Sequence, residues 1–476
     1  MDTQISTPKN KKVFVETWGC QMNVADSEQM LSMLQARNYQ MTQTPDDADL
    51  VLLNTCHIRE KATHKVLSRL GTLRQIADKN PGMKIAVSGC VAQAEGEKLM
   101  KKADNIDILL GPGKIQDFTK LLDEHEQTGS KVSSLGFLKS RGHGHDHAED
   151  KPSHAPAATP FGDPSLHKPT LTGKNEITRY VNIAQGCDNF CTFCVVPFTR
   201  GREISRTKED ILTEVKSLIA DGAKEITLLG QNVNSYGLDL LRDQKLDETP
   251  EGPFVDLLRS VAELPELESL RFTTSNPHDF SRPIAELFRT HPKLGRYIHL
   301  PVQAGHDALL ERMKRKVTVA EYWERIAWLR DVDPEMALST DIIVGFPGES
   351  EEEFEGTLKL VEDVRYSFIF AFKYSPRKGT AAARFRDQVP DDVMTRRLAA
   401  LNQLQDRITI ENNLAEIGRT RKVLIHYQSR KDPRFYYGRT EQFRLVKIPS
   451  QHDIVGQNLA VEILDANKTA LVGRLL

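Results

Sequence analysis

Six cysteines carry the most informative chemistry in this sequence, and they fall into two groups of three. One group is compact and consists of Cys187, Cys191 and Cys194. The other is spread along the chain at intervals of 36 and 34 residues and consists of Cys20, Cys56 and Cys90. Thiolates bind soft metals and iron–sulfur clusters. The two groups therefore predict two sites, each holding a centre with three thiolates.

The compact group has the ligand number of an open iron–sulfur cluster. A closed zinc site needs four ligands, which usually come in pairs. Here three cysteines lie on one short loop, and no fourth ligand is near them in the sequence. Three thiolates on a four-iron cluster leave one iron free to bind a substrate or cofactor. We therefore expect a [4Fe-4S] cluster at this loop, and a zinc site completed by a distant His or Cys is the alternative.

The spread cysteines each follow an apolar segment of strand character, at 12–16, 50–53 and 84–87. Helical segments alternate with these strands, which favours a parallel sheet. Ligand sites in such sheets form beyond the carboxyl ends of the strands. We therefore expect Cys20, Cys56 and Cys90 to converge on one point. The alternative is three buried and inert cysteines, since free Cys often packs as a small hydrophobe.

The order of the predicted elements gives an α/β protein with four regions. Residues 11–130 are predicted to form an N-terminal α/β domain, and 131–172 a linker or insert rich in Pro and His. About six further strand–helix repeats at 173–417 predict an open, partial (βα)6 barrel. Period-two runs at 418–476 predict a small antiparallel β-barrel. The insert contains His143, His145, His147, His154 and His167. A solvated, flexible insert is favoured there over a weak metal site.

The C-terminal region is basic although the chain as a whole is not. Its eleven Lys and Arg and five Asp and Glu give a net charge of +6, against −2 for the chain. Aromatic residues lie among these charges: Tyr427, Phe435, Tyr436 and Tyr437. Cations neutralise phosphates and aromatic rings stack on unpaired bases, so this region is predicted to bind RNA. A solvated basic face over an aromatic core is the alternative.

Length and composition are typical of a soluble enzyme. The chain has 476 residues, of which 27% are charged and 39% hydrophobic, which excludes a mostly disordered protein. The sequence has no apolar run of the ~20 residues that a membrane span needs. We expect a cytoplasmic monomer with reduced thiols and no membrane partner.

The spacing Cys187-x-x-x-Cys191-x-x-Cys194, followed by a partial barrel, resembles that of radical S-adenosylmethionine enzymes. The resemblance implies that the open iron binds S-adenosylmethionine. Its reductive cleavage then gives a 5′-deoxyadenosyl radical that abstracts a hydrogen atom. The resemblance also implies six cofactor-binding residues: Phe193 beside the adenine, Gly230 and Gln231 near the methionine amino group, and Asp341, Gly345 and Pro347 near the adenosine. The chain has Leu-Gly-Gln at 229–231, where the family usually has Gly-Gly-Glu.

The whole layout is similar to that of the methylthiotransferases within this group, and most similar to their tRNA branch. The matching strings are GCQMN at 19–23, NTCHIRE at 54–60, GCVAQ at 89–93, CVVPFTRG at 194–201 and LGQNVNSY at 229–236. The resemblance implies a second, auxiliary [4Fe-4S] cluster on Cys20, Cys56 and Cys90. It implies two S-adenosylmethionine molecules per turnover, one to methylate a sulfur on that cluster and one to make the radical.

The implied product is 2-methylthio-N(6)-(dimethylallyl)adenosine at position 37 of tRNA, made by inserting the methylthio group at carbon 2. The implied RNA partner is the anticodon loop, with Arg419, Arg421 and Lys422 as candidate phosphate contacts. An electron donor and a sulfur supplier, neither of which the sequence identifies, would also be needed. Two other substrates stay open: threonylcarbamoyladenosine in tRNA and an aspartate of a ribosomal protein. A non-catalytic iron–sulfur protein that binds or senses RNA is the alternative of another class. At 304–306 the chain has Ala-Gly-His, where the family usually has Ser-Gly-Ser.

Overall fold

The computed structural model describes residues 10–57, 62–137, 161, 170–171, 176–244, 246 and 249–476. Its internal contacts define two compact units. The first comprises Met1–Asn175 and Val196–Ile204, and the second comprises Glu176–Val195 and Ser205–Leu476. The five histidines of the predicted insert and residues 58–60 of the NTCHIRE string lie outside the described residues.

The first unit is built on a six-stranded parallel sheet. Its strands are β1 (Lys11–Thr17), β2 (Tyr39–Met41), β3 (Leu50–Thr55), β4 (Lys84–Gly89), β5 (Ile108–Leu110) and β6 (Val132–Ser134). They are arranged in the order β2-β1-β3-β4-β5-β6. Every residue of β3 is buried, as expected for a central parallel strand covered on both faces. The three strands that precede the spread cysteines, β1, β3 and β4, are direct neighbours.

Helices cover both faces of this sheet. They are α1 (Gln21–Gln35), α2 (Ala62–Ala77), α3 (Cys90–Glu95), α4 (Glu97–Lys102), α5 (Phe118–Thr128) and α6 (Val196–Thr199). Leu50 and Leu52 of β3 pack with α1 and α5 in one apolar cluster. Val51 and Leu53, which alternate with them, pack with α2 in the other. Because successive side chains of β3 point to opposite faces of the sheet, this strand contributes apolar residues to the core on each face.

The second unit contains an open barrel of parallel strands. Its strands are β7 (Thr178–Asn182), β8 (Ala184–Gln185), β9 (Ile204–Ser205), β10 (Glu225–Leu229), β11 (Ser269–Thr273), β12 (Tyr297–His299), β13 (Ala337–Val344) and β14 (Phe368–Lys373). The six longer strands form two parallel sheets, β11-β10-β7 and β12-β13-β14, which a parallel bridge between Leu270 and Leu294 connects. This arrangement confirms the predicted partial barrel.

Helices cover the outside of the open barrel. They are α7 (Lys208–Ala220), α8 (Leu238–Arg242), α9 (Pro253–Ala262), α10 (Arg282–Thr290), α11 (Asp307–Arg312), α12 (Val319–Val332), α13 (Glu351–Val364) and α14 (Asp391–Leu414). Capping boxes start α12 at Thr318 and α13 at Ser350, each with a Glu three residues later. Across the described part of the chain, no helix combines the length and apolar character needed to cross a bilayer.

The C-terminal residues form a closed five-stranded barrel. Its strands are β15 (Thr420–Gln428), β16 (Phe435–Thr440), β17 (Leu445–Pro449), β18 (Asn458–Ala466) and β19 (Leu471–Leu475), in the order β15-β16-β17-β19-β18. Four neighbouring pairs are antiparallel and one, β17 with β19, is parallel. The predicted three-part α/β fold class is thus confirmed. The sequence interpretation missed β2 and β6, which are three residues long and, unlike the equally short and wholly apolar β5, contain polar residues.

A buried polar network joins the C-terminal barrel to the amino end of the open barrel within the second unit. Glu225 of β10 pairs with Arg271 of β11 at 2.7 Å, and both side chains are buried. Arg271 also donates to the main-chain oxygens of Thr440 and Glu441. Phe443, from the same turn, stacks on Tyr297 of β12 with ring centroids 4.9 Å apart. The turn between β16 and β17 therefore closes that end of the open barrel.

Candidate functional site

The compact cysteine loop directly follows β7 and β8 of the second unit. Gly186 begins it with a φ of +88°, a conformation that favours glycine. The amide N–H of Gly186 donates to Oε1 of Gln231, the second residue after β10. The amide of Cys194 donates to the carbonyl oxygen of Cys191 at 3.1 Å, which closes a tight turn between these two cysteines.

Thr192 fixes the centre of the cysteine loop. Its amide donates to the main-chain oxygen of Met313 at 3.1 Å, and its hydroxyl donates to that of Arg312 at 3.0 Å. Its own carbonyl oxygen accepts from the amide of Ala382 at 2.9 Å. These bonds hold the loop through its backbone and one hydroxyl, so its position does not depend on the thiol groups.

The thiols of this loop suit an iron–sulfur cluster. Cys187, Cys191 and Cys194 are partly exposed, and none of them forms a disulfide. Nη1 of Arg315 donates to Sγ of Cys191 at 3.3 Å. In the described ranges, no three His, Cys, Asp or Glu side chains are gathered as tightly as a single metal ion requires. A four-iron cluster is larger than one ion, so its ligand sulfurs stand further apart. A donor set of three soft sulfurs on one fixed loop fits such a cluster with one open iron.

The predicted cofactor residues on the first half of the open barrel lie beside this loop. Phe193 is half-buried and packs against the core of the unit. Gly230 and Gln231 follow β10, and the side chain of Gln231 supports Gly186 as described above. The structure thus gives Gln231 a contact with the cysteine loop that the sequence did not reveal.

The predicted cofactor residues on the other half lie on β13 and in the turn after it. Asp341 is half-buried, and its Oδ1 is 3.5 Å from Nε2 of His299. Gly345 has a φ of +72°, and a Cβ there would lie 2.1 Å from Cγ of Met394. The amide of Gly345 donates to Glu349 at 2.5 Å, which fixes the turn that contains the buried Pro347. This amide is therefore already engaged within the protein.

A line of polar side chains runs along β12 and β13, and sequence reasoning did not find it. The hydroxyls of Tyr297 and Ser339 lie 2.6 Å apart, and Nδ1 of His299 lies 2.8 Å from the same Ser339 oxygen. His299 continues the line to Asp341. Phe370 of β14 meets the His299 ring edge to face at 5.7 Å and is 48% exposed. Apart from Asp341, no sequence pattern points to this group, because its contacts join three strands.

The spread cysteines lie at the carboxyl ends of β1, β3 and β4 in the first unit. Cys20 precedes α1, Cys56 follows β3, and Cys90 is the first residue of α3. A Cβ at Gly19 would lie 2.5 Å from Cβ of Cys56. Gly89 approaches the backbone so closely that a Cβ would lie 2.2 Å from the oxygen of Thr55. The close approach at these two glycines brings the ends of the three strands together.

Arg200 is a buried cation beside the spread cysteines, and its role was also missed. Its Nη2 donates to Asp26 at 2.8 Å and lies 3.4 Å from Oδ1 of Asn23, which Sγ of Cys20 also contacts. Burial alone would lower the pKa of Arg200, but the charges of Asp26, Cys90 and Cys20 outweigh it and raise the pKa. The structure therefore places a buried cation, paired with Asp26, beside Cys20 and Cys90.

Most basic residues of the C-terminal barrel already have acidic partners. Arg419 and Arg421 both pair with Glu335, and Arg421 also pairs with Glu416 at 2.6 Å. Arg419 and Arg421 stay predicted phosphate contacts, and within the protein their charges are paired with these carboxylates. Lys422, Arg430 and Lys431 are exposed and form no ion pair within the described ranges. Tyr427, which is 51% exposed, stacks on Tyr437 at 5.4 Å.

Comparisons with known proteins agree with this arrangement. Residues 12–111 match the family described as Uncharacterized protein family UPF0004, and residues 181–361 match the Radical SAM superfamily. The chain is 41% identical over 98% of its length to a tRNA-2-methylthio-N(6)-dimethylallyladenosine synthase from Neisseria gonorrhoeae, 99% of which is covered. The chain belongs to the radical S-adenosylmethionine methylthiotransferases. A second relative with the same description, from Syntrophobacter fumaroxidans, shares 41% identity with this methylthiotransferase over 99% of this chain and 97% of its own.

Solved structures support the fold of this methylthiotransferase. The radical S-adenosylmethionine methyltransferase TsrM from Kitasatospora setae aligns with a TM-score of 0.54 at 13% identity, covering 79% of this chain and 74% of its own. At that identity the likeness concerns the fold alone. Membership in the radical S-adenosylmethionine family implies one [4Fe-4S] cluster and S-adenosylmethionine as cofactors.

Proposed function

We propose that this methylthiotransferase modifies carbon 2 of N(6)-(dimethylallyl)adenosine at position 37 of tRNA. The observation that carries the proposal is the 41% identity along almost the whole chain to relatives described as tRNA-2-methylthio-N(6)-dimethylallyladenosine synthases. An identity spread over both units and the C-terminal barrel includes the parts that select a substrate, as well as the radical core.

The compact cysteine loop has the radical role in this proposal. Cys187, Cys191 and Cys194 would hold the [4Fe-4S] cluster, which would supply the electron for the reductive cleavage of S-adenosylmethionine. Phe193, Gly230, Gln231, Asp341, Gly345 and Pro347 are the proposed contacts of the cofactor. Gln231 has a second task, because its bond to Gly186 fixes the start of the loop.

The spread cysteines have the sulfur role. Cys20, Cys56 and Cys90 hold an auxiliary cluster that supplies the inserted sulfur. The support for this auxiliary cluster is the convergence of three strand ends, with the buried Arg200 beside them. Because the sulfur leaves with the product, a sulfur supplier must restore it, and an electron donor must reduce the radical cluster. A monomer acting in the cytoplasm is the proposed form.

Two exposed aromatic side chains of the open barrel could stack on the target base. Phe370 and Phe372 on β14 are 48% and 37% exposed and occupy the same face of that strand. Aromatic side chains stack on bases that have left their helix. The bases of an anticodon loop are already partly unstacked, which lowers the free energy needed to draw one into a pocket. We propose Phe370 and Phe372 as the stacking surface for the modified adenine or its dimethylallyl group.

A direct test separates the two cysteine groups. In the Cys56→Ala variant we expect S-adenosylmethionine cleavage to continue, because the radical cluster is intact, while no methylthio product forms. The measurement is 5′-deoxyadenosine by chromatography and the tRNA nucleosides by mass spectrometry. The reconstituted wild-type protein should contain about eight irons per chain and this variant about four, since each cluster contains four.

Three outcomes would contradict this assignment. Full methylthio product from Cys56→Ala would remove the sulfur role of the spread cysteines. A wild-type protein with a single cluster would remove the auxiliary cluster. Methylthiolated threonylcarbamoyladenosine, in place of the dimethylallyl nucleoside, in tRNA from a strain that expresses only this enzyme would move the substrate to the other tRNA branch.

The C-terminal barrel should bind tRNA through its unpaired cations. We expect Arg430→Gln/Lys431→Gln to weaken tRNA binding and to reduce the slope of log K against log salt by about two, one for each lost phosphate contact. The matched control is Arg434→Gln/Arg474→Gln, which removes the same charge from residues paired with Asp432 and Glu462. Filter binding over a series of salt concentrations measures the tRNA affinity and its salt dependence for each double variant. Equal slopes for the two double variants would show that these cations do not contact the RNA.

A further inference from the structure

We infer that Arg315 is a positioning residue of the radical cluster, which donates a hydrogen bond to the Cys191 thiolate and makes the cluster easier to reduce. The inference deepens the proposed function and rests on its assignment of Cys191 as a cluster ligand. Neither the cysteine spacing nor the predicted cofactor residues include Arg315.

The guanidinium group of Arg315 is buried and held from three sides. Its Nη1 donates to Sγ of Cys191 at 3.3 Å. Its Nη2 donates to the main-chain oxygen of Pro301 at 2.6 Å and lies 3.4 Å from Oδ1 of Asn276. The residue is only 6% exposed. The partners on Nη2 are neutral oxygens, so neither of them neutralises the charge that faces the sulfur.

The backbone around Arg315 has an unusual conformation that serves this contact. Lys314 and Lys316, on either side of it, have φ values of +54° and +55°. Residues with side chains adopt this left-handed region rarely, and such strain concentrates at functional sites. Both lysines are exposed, while Arg315 between them is buried. The left-handed backbone at Lys314 and Lys316 thus directs the side chain of Arg315 into the protein and leaves the two lysine side chains in solvent.

The same turn also holds the cysteine loop. Met313 and Arg312 accept the two hydrogen bonds of Thr192 through their main-chain oxygens. These two hydrogen bonds therefore connect the cysteine loop to the backbone of the turn that contains Arg315. They fix the distance between Arg315 and Cys191. A hydrogen bond fixed in this way needs little reorganisation when the electron arrives.

The sign of the effect follows from charge. Reduction adds one electron to the cluster, so a buried cation that donates to a ligand sulfur stabilises the reduced state more than the oxidised one. Charge and hydrogen bonds to the sulfurs are known controls of cluster potential. Hydrogen bonds between charged groups are also stronger than neutral ones, and burial strengthens them further. Removal of Arg315 should therefore shift the midpoint potential of the cluster to a more negative value.

The test compares Arg315→Gln with Arg315→Lys by redox titration followed by electron paramagnetic resonance. We expect Arg315→Gln to lower the ratio of reduced to oxidised cluster about tenfold at a fixed potential, equivalent to a negative shift of ~59 mV for one electron. Arg315→Lys should show a smaller shift in the same direction, since it keeps the charge and loses the planar fork. The matched control is Lys316→Gln, which removes an exposed charge next to Arg315 and should leave the potential unchanged.

A stronger reductant should restore 5′-deoxyadenosine formation in Arg315→Gln, which a misplaced loop would not allow. The inference is overturned if both Arg315 variants keep the wild-type potential, or if Lys316→Gln shifts it equally. It is also overturned if the only change is a higher KM for S-adenosylmethionine. If Cys191 were not a cluster ligand at all, the result would be different, because the Cys191→Ala variant would then keep its cluster.

Discussion

Replacement of Cys191 by alanine is expected to abolish 5′-deoxyadenosine formation and, with it, methylthio transfer. With the proposed ligand set, a four-iron cluster in this variant would lose one of its three protein ligands, and Cys187 and Cys194 alone would not hold it in a reducible state. The loop itself should stay folded, because Thr192 fixes it through Met313, Arg312 and Ala382. The circular dichroism spectrum should therefore match that of the wild type. The iron content of protein prepared without oxygen should fall from about eight to about four irons per chain.

The alanine variant of Cys56 is the control for this prediction, since it should lose the same amount of iron and keep cleavage. The two variants thus have equal iron contents and opposite behaviour towards S-adenosylmethionine. Cleavage at the wild-type rate by Cys191→Ala would show that the radical cluster lies elsewhere. Zinc in place of iron at this loop, in protein purified without oxygen, would restore the alternative that the sequence left open.

Replacement of Glu225 by alanine should lower the free energy of unfolding by about 3–5 kcal/mol, because it leaves a buried cation without its partner. Glu225 is 2% exposed and accepts from Arg271 at 2.7 Å and from the hydroxyls of Thr178 and Ser269 at 2.9 Å each. Nε2 of His426, in the C-terminal barrel, lies 3.4 Å from it. The loss should be seen in urea unfolding and in faster proteolysis at the junction before the C-terminal barrel.

An exposed ion pair between the same two parts of the second unit provides the control. Glu335 pairs with Arg419 and Arg421 of the C-terminal barrel, and its side chain is 45% exposed. Glu335→Gln should therefore cost less than about 1 kcal/mol. Glu225→Leu combined with Arg271→Met should recover part of the stability lost in Glu225→Ala, because no charge is then left buried. Equal losses in Glu225→Ala and Glu335→Gln would contradict the role of the buried network.

Acid should weaken the same network. Burial alone would raise the pKa of Glu225, but Arg271 and His426 outweigh it and hold the pKa well below the ordinary value of 4.5. A carboxyl group with a lowered pKa in the folded state stabilises the protein above its unfolded-state pKa, and this contribution is lost as the pH falls below it. The difference in stability between the wild type and Glu225→Ala should therefore shrink below about pH 4.5.

The order and class of the elements, and the grouping of the six thiols, were predictable from the amino-acid sequence. Strands such as β3 and β13 were recognisable because buried parallel strands form continuous apolar runs. The compact cysteine group was recognisable because its three cysteines lie on one loop, where residues that are close in the sequence are also close in space. The period of two in 418–476 likewise predicted a small barrel, which Val423, Ile425, Val446, Ile448, Val461 and Ile463 fill.

The three-dimensional fold was needed to show which charged side chains face the thiols and which are paired elsewhere. Arg315 meets Cys191 across 124 residues, and Arg200 meets Asp26 across 174. Arg419 and Arg421 are predicted RNA contacts, and the structure pairs each of them with Glu335, far from both along the chain. Side chains that act through distant partners leave no periodic or spacing signal, because the fold and not the order of residues brings them within hydrogen-bond distance.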